Sequence, residues 1–277
     1  MSSVTGRLLV CATPIGNLGD ISDRLRDALT DADVVFAEDT RRTAKLLRHL
    51  VIDVELISLF AGNERARTEE VLRAVESGKS VVIVSDAGMP TVSDPGASVI
   101  HAVREAGHPV SVIPGPSAVT TAVALSGFGG DRFVFEGFLP RKGQERARRL
   151  QEIGEETRVV VLFASPKRLG ADLSDLVLVC GGSREVAVGR ELTKLHEETW
   201  VGPLADAAER FSEPVKGEVT LVLAPVEAEA RSPEEAVALA RELVAEGATI
   251  SDAARRAAEE TGVSRRAVYE SLISDQA

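Results

Sequence analysis

Cysteine, methionine and tryptophan are scarce in this chain, whose 277 residues include two, two and one of them. Cys11 and Cys180 lie in apolar runs that predict strands, so we expect two small buried thiols in a reducing compartment, consistent with a cytoplasmic protein. The four histidines are scattered, and the sequence therefore predicts no metal site. Long hydrophobic runs are also missing, and the first residues lack the features of a signal peptide, so we expect no membrane association.

Basic residues are fewer than acidic residues in this chain. There are 32 basic residues against 43 acidic ones, giving a formal net charge of −11. This balance argues against proteins that coat nucleic acid without specificity, because these need a broadly positive surface. Local basic segments do occur, and each is typical either of a solvated helix face or of a phosphate contact. They are Arg41-Arg42 with Lys45 and Arg48, Arg141-Lys142 with Arg146, Arg148 and Arg149, Arg255-Arg256, and Arg265-Arg266.

Strand-like and helix-like segments alternate through the first part of the chain, which predicts a parallel sheet flanked by helices. Ser22 and Thr40 are the predicted N-caps of two helices, and Gly78 and Gly107 are predicted to end two others. The predicted strands span residues 7–12, 34–37, 54–59, 80–84 and 110–113.

A glycine-rich stretch at 126–130 predicts the first domain boundary, giving domains at 1–127 and 128–226. We expect the second to be a smaller mixed α/β domain with helices near 144–153 and 203–211. Its predicted strands span 133–136, 158–163, 177–179, 186–190 and 218–223.

The last part of the chain has no strand signal. A polar linker at 227–232 precedes a third domain at 233–277, which is rich in Ala, Glu and Arg. Pro233 suits the first position of a helix that Gly247 ends, and the segments on either side of Gly262 match a helix-turn-helix. This domain is either a nucleic-acid contact or a packing and dimerisation bundle.

Three loops rich in Gly and Pro carry most of the functional information. They are TPIGNLGD (13–20), SDAGMP (85–90) and PGPSA (114–118), and each follows a predicted strand. Ligands of open α/β sheets bind at the carboxyl ends of the strands, and such loops let the backbone approach a ligand closely. Three of them at one edge predict a small-molecule site. The dinucleotide-binding and P-loop patterns are absent, so a zwitterionic cofactor with an adenosine moiety suits these loops better than one rich in phosphate.

These loops and their neighbours resemble the ribosomal RNA small subunit methyltransferase I family, which has the tetrapyrrole-methylase fold of S-adenosylmethionine (SAM) enzymes. The resemblance spans most of residues 7–224, in the family's order. The matching segments are ATPIGNLGD (12–20), AEDTRRT (37–43), SDAG (85–88), DPG (94–96), PGPS (114–117), FEGFLP (135–140) and RELTK (190–194).

The resemblance implies two α/β domains with a cofactor cleft between them, followed by the small helical domain. It implies methylation, with SAM as donor, of the 2′-oxygen of a cytidine ribose in 16S rRNA, near the decoding centre of the 30S subunit. A homodimer is implied as well. The residues implied to line the cofactor pocket are Pro14, Ile15, Gly16, Asp86, Ala87, Gly88, Pro114, Ser117 and Ala118 from the first domain, and Phe163, Leu192, Lys216 and Gly217 from the second.

The chain departs from the family pattern at two positions beside these segments. Met89 stands where the family usually has Thr, and Ala164 stands where it typically has Glu. The first keeps the turn but lacks a hydroxyl, and the second lacks a carboxylate.

A ribose hydroxyl is a weak nucleophile until its proton is accepted or polarised. Asp39 is our candidate for that role, with Glu38 beside it just after the second predicted strand. The alternative is that Asp39 caps the helix that begins there.

Arg41, Arg42 and Lys45 are the first candidates for contacts with RNA phosphates, and Arg141 and Lys142 in a predicted flexible loop are the second. Because aromatic residues make up only 4% of the chain, we expect the target to be recognised mainly by RNA shape.

Two other functions compete with rRNA methylation. A methylase acting on a corrin precursor would share the fold, but the basic segments and the C-terminal helices disfavour it. A non-catalytic RNA- or ribosome-binding module is the other, and the retention of all three loops disfavours that.

Overall fold

The first part of the chain forms a five-stranded parallel sheet of order β3-β2-β4-β1-β5. The computed structural model describes residues 6–226 and 233–274, so the expectations for the first five residues and for the linker lie outside it. The strands are β1 (Arg7–Cys11), β2 (Val34–Ala37), β3 (Glu55–Ser58), β4 (Ser80–Val84) and β5 (Val110–Ile113), and the helices are α1 (Asp23–Thr30), α2 (Thr40–Leu50), α3 (Glu64–Glu76), α4 (Ala97–Glu105) and α5 (Ala118–Ser126).

Side chains alternate between the two faces of this sheet because successive residues of a strand point to opposite sides. Leu9 and Val82 pack with α1 and α2 on one face, whereas Leu8 and Val81 pack with α3 and α4 on the other. Cys11 is buried in the first of these cores, and burial raises the pKa of its thiol to about 12, so the thiol stays protonated at neutral pH. Both faces are covered, as expected for a parallel sheet.

The helix ends follow the predicted signals except at α2. Ser22 caps α1, and Gly78 and Gly107 adopt positive φ after α3 and α4. The predicted cap Thr40 is wrong, because it is the first helical residue and Asp39 is the N-cap. The Asp39 carboxylate accepts a hydrogen bond from the backbone N–H of Arg41, as a capping residue does.

The second sheet is mixed, with order β6-β7-β10-β8-β9, and only the β6–β7 pair is parallel. Its elements are β6 (Phe133–Phe138), α6 (Gly143–Glu155), β7 (Val159–Ala164), α7 (Leu169–Cys180), β8 (Glu185–Arg190), β9 (Glu198–Pro203), α8 (Leu204–Arg210) and β10 (Val219–Leu223). The predicted strand at 177–179 is wrong: these residues and Cys180 belong to α7, whose short apolar run does not distinguish a strand from a buried helix. The strand β9 was not predicted.

Helix α5 joins the two halves of the molecule. It ends the segment predicted as the first domain, yet its apolar side chains Val119 and Val123 pack with Val161 and Val222 of the second sheet. Ile15 from the first loop lies in the same buried cluster. The other face of the second sheet is covered by α6, α7 and α8. The cleft between the sheets therefore opens where α5 begins.

The C-terminal segment forms three helices with their own core, built largely from alanine. They are α9 (Pro233–Ala245), α10 (Ile250–Thr261) and α11 (Arg265–Ser274). Gly262 takes the left-handed conformation in the turn between α10 and α11, as a helix-turn-helix requires. Several of the arginines pair with acids on their own helices, as Arg255 does with Asp252 and Arg266 with Glu270. Across residues 6–226 and 233–274, no helix has the length and apolar character needed to cross a membrane.

One member of the predicted basic segment near 141 is a buried structural group. Arg146 donates hydrogen bonds to Asp172, Asp175 and the carbonyl of Pro140, and its side chain is only 9% exposed. It thereby ties α6 to α7 and to the loop that follows β6.

Arg146→Met should lower the free energy of unfolding by about 3–5 kcal/mol, because it leaves the buried Asp172 carboxylate poorly compensated. Arg148→Met on the same helix is the control, since Arg148 is 67% exposed and its ion pair with Glu152 is 3.9 Å long; it should change stability by less than about 0.5 kcal/mol. Urea denaturation measures both. Equal losses in the two variants would contradict the structural role of Arg146.

Candidate active site

The three predicted loops meet at one cavity where the carboxyl end of the first sheet faces the second domain. Its volume is about 420 Å³, which is within the range of small-molecule sites. Seven of the residues implied for cofactor binding line it: Ile15, Asp86, Ala87, Gly88, Ser117, Ala118 and Phe163. Local sequence and long-range packing thus bring the predicted loops together.

A short antiparallel bridge holds the first two loops in place. The backbone groups of Thr13 and Gly88 exchange two hydrogen bonds of 2.9 and 3.0 Å. The Thr13 hydroxyl donates to the carbonyl of Ser85, and the Ser85 hydroxyl donates to that of Gly88. These loops are therefore preorganised, because their backbone and hydroxyl groups are satisfied internally.

Gly88 and Ser117 give the cavity wall its shape. Gly88 has φ of +81°, and a Cβ there would lie 3.5 Å from Ile15 Cγ2 and 3.6 Å from the carbonyl oxygen of Pro116. Only glycine takes this conformation without strain. Ser117 is the N-cap of α5, but its hydroxyl makes no capping hydrogen bond. The N–H groups of the first turn of α5 and this hydroxyl are thus available to a ligand.

The remaining residues implied for cofactor binding lie around the cavity rather than in its lining. Leu192 is buried in the same cluster as Ile15, and Gly16 packs against the side chain of Lys194. The carbonyl of Lys216 accepts a hydrogen bond from Arg190, and Gly217 faces the Glu191 side chain. Pro14 is half-buried, and Pro114 is exposed. These residues shape and support the loops.

Carboxylates dominate the charge of the cavity. Glu38, Asp86, Asp94 and Glu218 line it, against the single cation Arg42 among the described lining residues. Arg42 lies 3.3 Å from Asp86 and 3.6 Å from Glu218, so it spans the two domains. The cavity is therefore suited to a cationic ligand more than to a phosphate.

Glu38 and Asp94 form a hydrogen-bonded carboxyl pair inside this cavity. Burial, followed by the charge of Glu38, raises the pKa of Asp94 to about 7, and burial with the charge of Asp86 raises the pKa of Glu38 as well. Asp94 is therefore partly protonated near neutral pH, beside a second carboxyl whose pKa is also raised. Asp94 was not predicted as a site residue. The only signal was its place in the DPG segment, which identifies a turn but not a titrating group.

Asp39 lies outside the lining of the cavity. Its carboxylate is bound by the guanidinium and backbone N–H of Arg41, and these hydrogen bonds lower its pKa to about 2. Its own backbone N–H donates to Asp86. This placement favours the capping role that the sequence left open for Asp39, since so weak a base accepts a proton poorly at neutral pH.

Some of the candidate RNA contacts form ion pairs within the protein, and the others do not. Arg41 and Arg42 pair with carboxylates. Lys45, Arg141 and Lys142 are exposed and their side chains have no ion-pair partner within residues 6–226 and 233–274.

Within residues 6–226 and 233–274, no group of three or more His, Cys, Asp or Glu has the geometry of a metal site. The two departures from the family pattern, Met89 and Ala164, both line the cavity.

Glu38→Gln should lower the pKa of Asp94 from about 7 towards the ordinary aspartate value, because a like charge beside Asp94 is removed while its burial remains. Carbon NMR of the carboxyl groups measures this titration. Glu105→Gln, an exposed change on α4, is the control and should leave the midpoint in place. An unchanged midpoint in Glu38→Gln would show that the two carboxyls do not interact.

Family profiles match both parts of the chain. Residues 7–208 match the tetrapyrrole (corrin/porphyrin) methylases. Residues 230–275 match a profile described as the RsmI C-terminal HTH domain. The fold expected from the sequence is thereby confirmed, with its two sheets and a helical C-terminal domain.

Curated relatives with the name ribosomal RNA small subunit methyltransferase I align along nearly the whole chain. The protein from Mycobacterium tuberculosis is 44% identical over 275 residues, which cover 98% of this chain and 96% of that protein. The one from Synechocystis sp. is 44% identical over 269 residues, 96% of each chain.

Solved structures share the fold at lower identity. The methyltransferase CobJ superposes with a TM-score of 0.62 and 20% identity, over 80% of this chain and 95% of CobJ. The uroporphyrin-III C-methyltransferase of Thermus thermophilus, solved with S-adenyl homocysteine, gives a TM-score of 0.56 and 16% identity over 78% of this chain and 96% of that one. The family profiles and the curated relatives show that the chain belongs to the ribosomal RNA small subunit methyltransferase I family of the tetrapyrrole methylases.

Proposed function

We propose that the protein transfers the methyl group of SAM to the 2′-oxygen of a cytidine ribose in 16S rRNA, within the 30S subunit. The observation that carries this proposal is an acidic cavity built from the family's three loops in a chain whose full-length relatives have the name of an rRNA methyltransferase. The cavity between two α/β domains, followed by the helical domain, is the arrangement that the resemblance implies.

The cavity fits SAM in its charge and its walls. SAM, when bound, supplies an electrophilic methyl group on a positively charged sulfonium. The carboxylates of Glu38, Asp86 and Asp94 favour such a cation, and a Cβ at Gly88 would close the space beside Ile15. Ala87, Ser117 and Ala118 offer backbone groups and small side chains to the rest of the molecule.

Glu38 and Asp94 are our candidates for accepting the proton of the ribose hydroxyl. In the ionised state of the pair, a carboxylate oxygen would accept the hydroxyl proton while the ribose oxygen takes the methyl group. The carbon–sulfur bond of bound SAM would break and leave neutral S-adenosylhomocysteine, so the pair would gain one proton for each methyl group transferred. A base with a pKa near 7 is matched to this step at neutral pH. Holding the hydroxyl in near-attack geometry contributes on the order of 7–11 kcal/mol to such reactions.

The proposed partners are 16S rRNA in the 30S subunit and a second copy of the chain, in the cytoplasm. The dimer is supported by β5, an edge strand whose Val112 is 46% exposed, and by Leu125 of α5, which is 45% exposed. Unpaired edge strands with apolar side chains favour association.

Light scattering of the purified protein should give the mass of a dimer, and the mass of a monomer would contradict this proposal.

Incubation of the protein with 30S subunits and SAM carrying a labelled methyl group should place the label on a single cytidine ribose, as mapped by mass spectrometry of 16S rRNA. A precorrin is the alternative substrate in a parallel reaction. Label on the precorrin alone would overturn the proposal in favour of a corrin methylase. SAM binding absent by calorimetry would favour a non-catalytic ribosome-binding module.

Asp94→Asn should lower kcat by about 10²- to 10⁴-fold, the usual contribution of a general base. In the wild type, kcat should rise with pH through about 7, because Asp94 must lose its proton to act as a base. Asp39→Asn is the discriminating variant: it should keep most of the turnover. A larger loss in Asp39→Asn than in Asp94→Asn would make Asp39 the base instead.

A further inference from the structure

A second cavity adjoins the candidate active site. Its volume is about 640 Å³, and it shares Phe138, Phe163 and Ser165 with the first. The rest of its wall comes from the loop that follows β6 and from the segment that leads into α7. A polymeric ligand bound in one cavity can therefore continue directly into the other.

The second cavity has the opposite charge character to the first. Arg141, Lys167 and Arg168 line it, with Asp172 as the acid. Asp172 is buried and already bound by Arg146 at 2.8 Å, while Arg168 lies 3.7 Å from it. Lys167 and Arg141 are exposed, and their side chains have no hydrogen-bond or ion-pair partner in the part of the chain that the structure describes. In a protein of net charge −11, two uncompensated cations beside one cavity form a local site for an anion.

Phe138 stands on the boundary between the cavities. A bulge at Glu136 and a positive φ at Gly137 redirect the end of β6, so that Phe138 pairs with Phe163. The two rings are tilted, with centroids 5.5 Å apart, and the Phe138 residue remains 58% exposed. An aromatic ring anchored on one side and open on the other is a platform on which a base can stack.

Two hydrogen bonds hold the backbone that carries Arg141. Arg146 donates to the carbonyl of Pro140 at 2.9 Å, and Arg168 donates to the carbonyl of Arg141 at 3.2 Å. The loop is therefore held from both α6 and the start of α7. The binding of a ligand therefore requires little further ordering of this loop.

We propose that the second cavity is a subsite for the RNA nucleotide next to the methylated one. The exposed face of Phe138 stacks on the base of that nucleotide, and Lys167 with Arg141 binds the phosphodiester that links it to the target. The ribose of the target then lies in the acidic cavity, which excludes phosphate. This inference rests on the proposed function, because it takes RNA as the substrate, and it adds Phe138 and Lys167 as RNA-binding residues.

Phe138→Leu tests the base platform in the full-length protein. It should raise KM for 30S subunits about tenfold, the effect of losing one base stack, and leave the SAM dissociation constant unchanged by calorimetry. Phe138→Tyr, which keeps the ring, should restore the wild-type KM. The matched control is Phe133→Leu, at the start of β6, where the residue is 37% exposed and lines neither cavity. It should have no effect.

Lys167→Gln tests the phosphate contact. Binding of 30S subunits, measured by filter retention without SAM, should weaken, and the slope of log affinity against log salt should fall by about one, as expected for one lost phosphate contact. Lys79→Gln is the control, because Lys79 is exposed just before the amino end of β4, away from the cavities. It should leave both the affinity and the slope unchanged.

The outcomes separate this inference from the proposed function. If the wild type methylates 30S subunits and both Phe138→Leu and Lys167→Gln match it in KM and salt slope, the subsite is overturned and the proposed function stands. A wild type that neither binds nor methylates 30S subunits overturns both. Loss of SAM affinity in Phe138→Leu would show that Phe138 belongs to the cofactor site, which also overturns the subsite.

Discussion

The burial of helix α5 against the second sheet is the constraint on which the site depends. Val119 and Val123 pack with Val161 and Val222, and the same cluster takes in Ile15 from the first loop. This apolar contact fixes the carboxyl end of the first sheet opposite the second domain. The Arg42–Glu218 ion pair across the cleft is 3.6 Å long and about half exposed, and such pairs contribute less than about 1 kcal/mol. Apolar burial rather than this ion pair therefore sets the width of the cavity.

The division of charge between the two cavities follows from that placement. The first domain contributes Glu38, Asp86 and Asp94 to one cavity, while Arg141 and Lys167 belong to the second domain and line the other. Acids concentrated on one side attract a cation and repel phosphate, and unpaired cations on the other side do the reverse. A chain with a large negative net charge can thus have a cation-favouring cavity beside an anion-favouring cavity without a broadly basic surface.

The loops could be predicted from the sequence because glycine and proline act locally. The TPIGNLGD, SDAG and PGPS segments follow strands that their own residues specify, and parallel strands bring their carboxyl ends to one edge. The role of each acid could not be predicted in this way. Asp39 and Glu38 are adjacent in sequence, yet one is a helix cap and the other lines the cavity, and Asp94 titrates near neutral pH only because folding buries it beside Glu38. The strand predicted at 177–179 failed for a related reason, since its apolar residues lie in a buried helix.

The loop that carries Asp94 shows how the fold holds an unfavourable arrangement. Thr91 and Ser93 have φ of 74° and 66°, and non-glycine residues in such conformations cost about 1–3 kcal/mol each. The Glu64 carboxylate from α3 accepts hydrogen bonds from the N–H groups of Gly96 and Ser98 and from the Ser98 hydroxyl, which fixes the end of the loop at the start of α4. Glu64 lies outside the lining of the cavity, so its contribution to the site is to hold a strained backbone. Because that backbone places Asp94 beside Glu38, the carboxyl pair depends on a contact made on the far side of the loop.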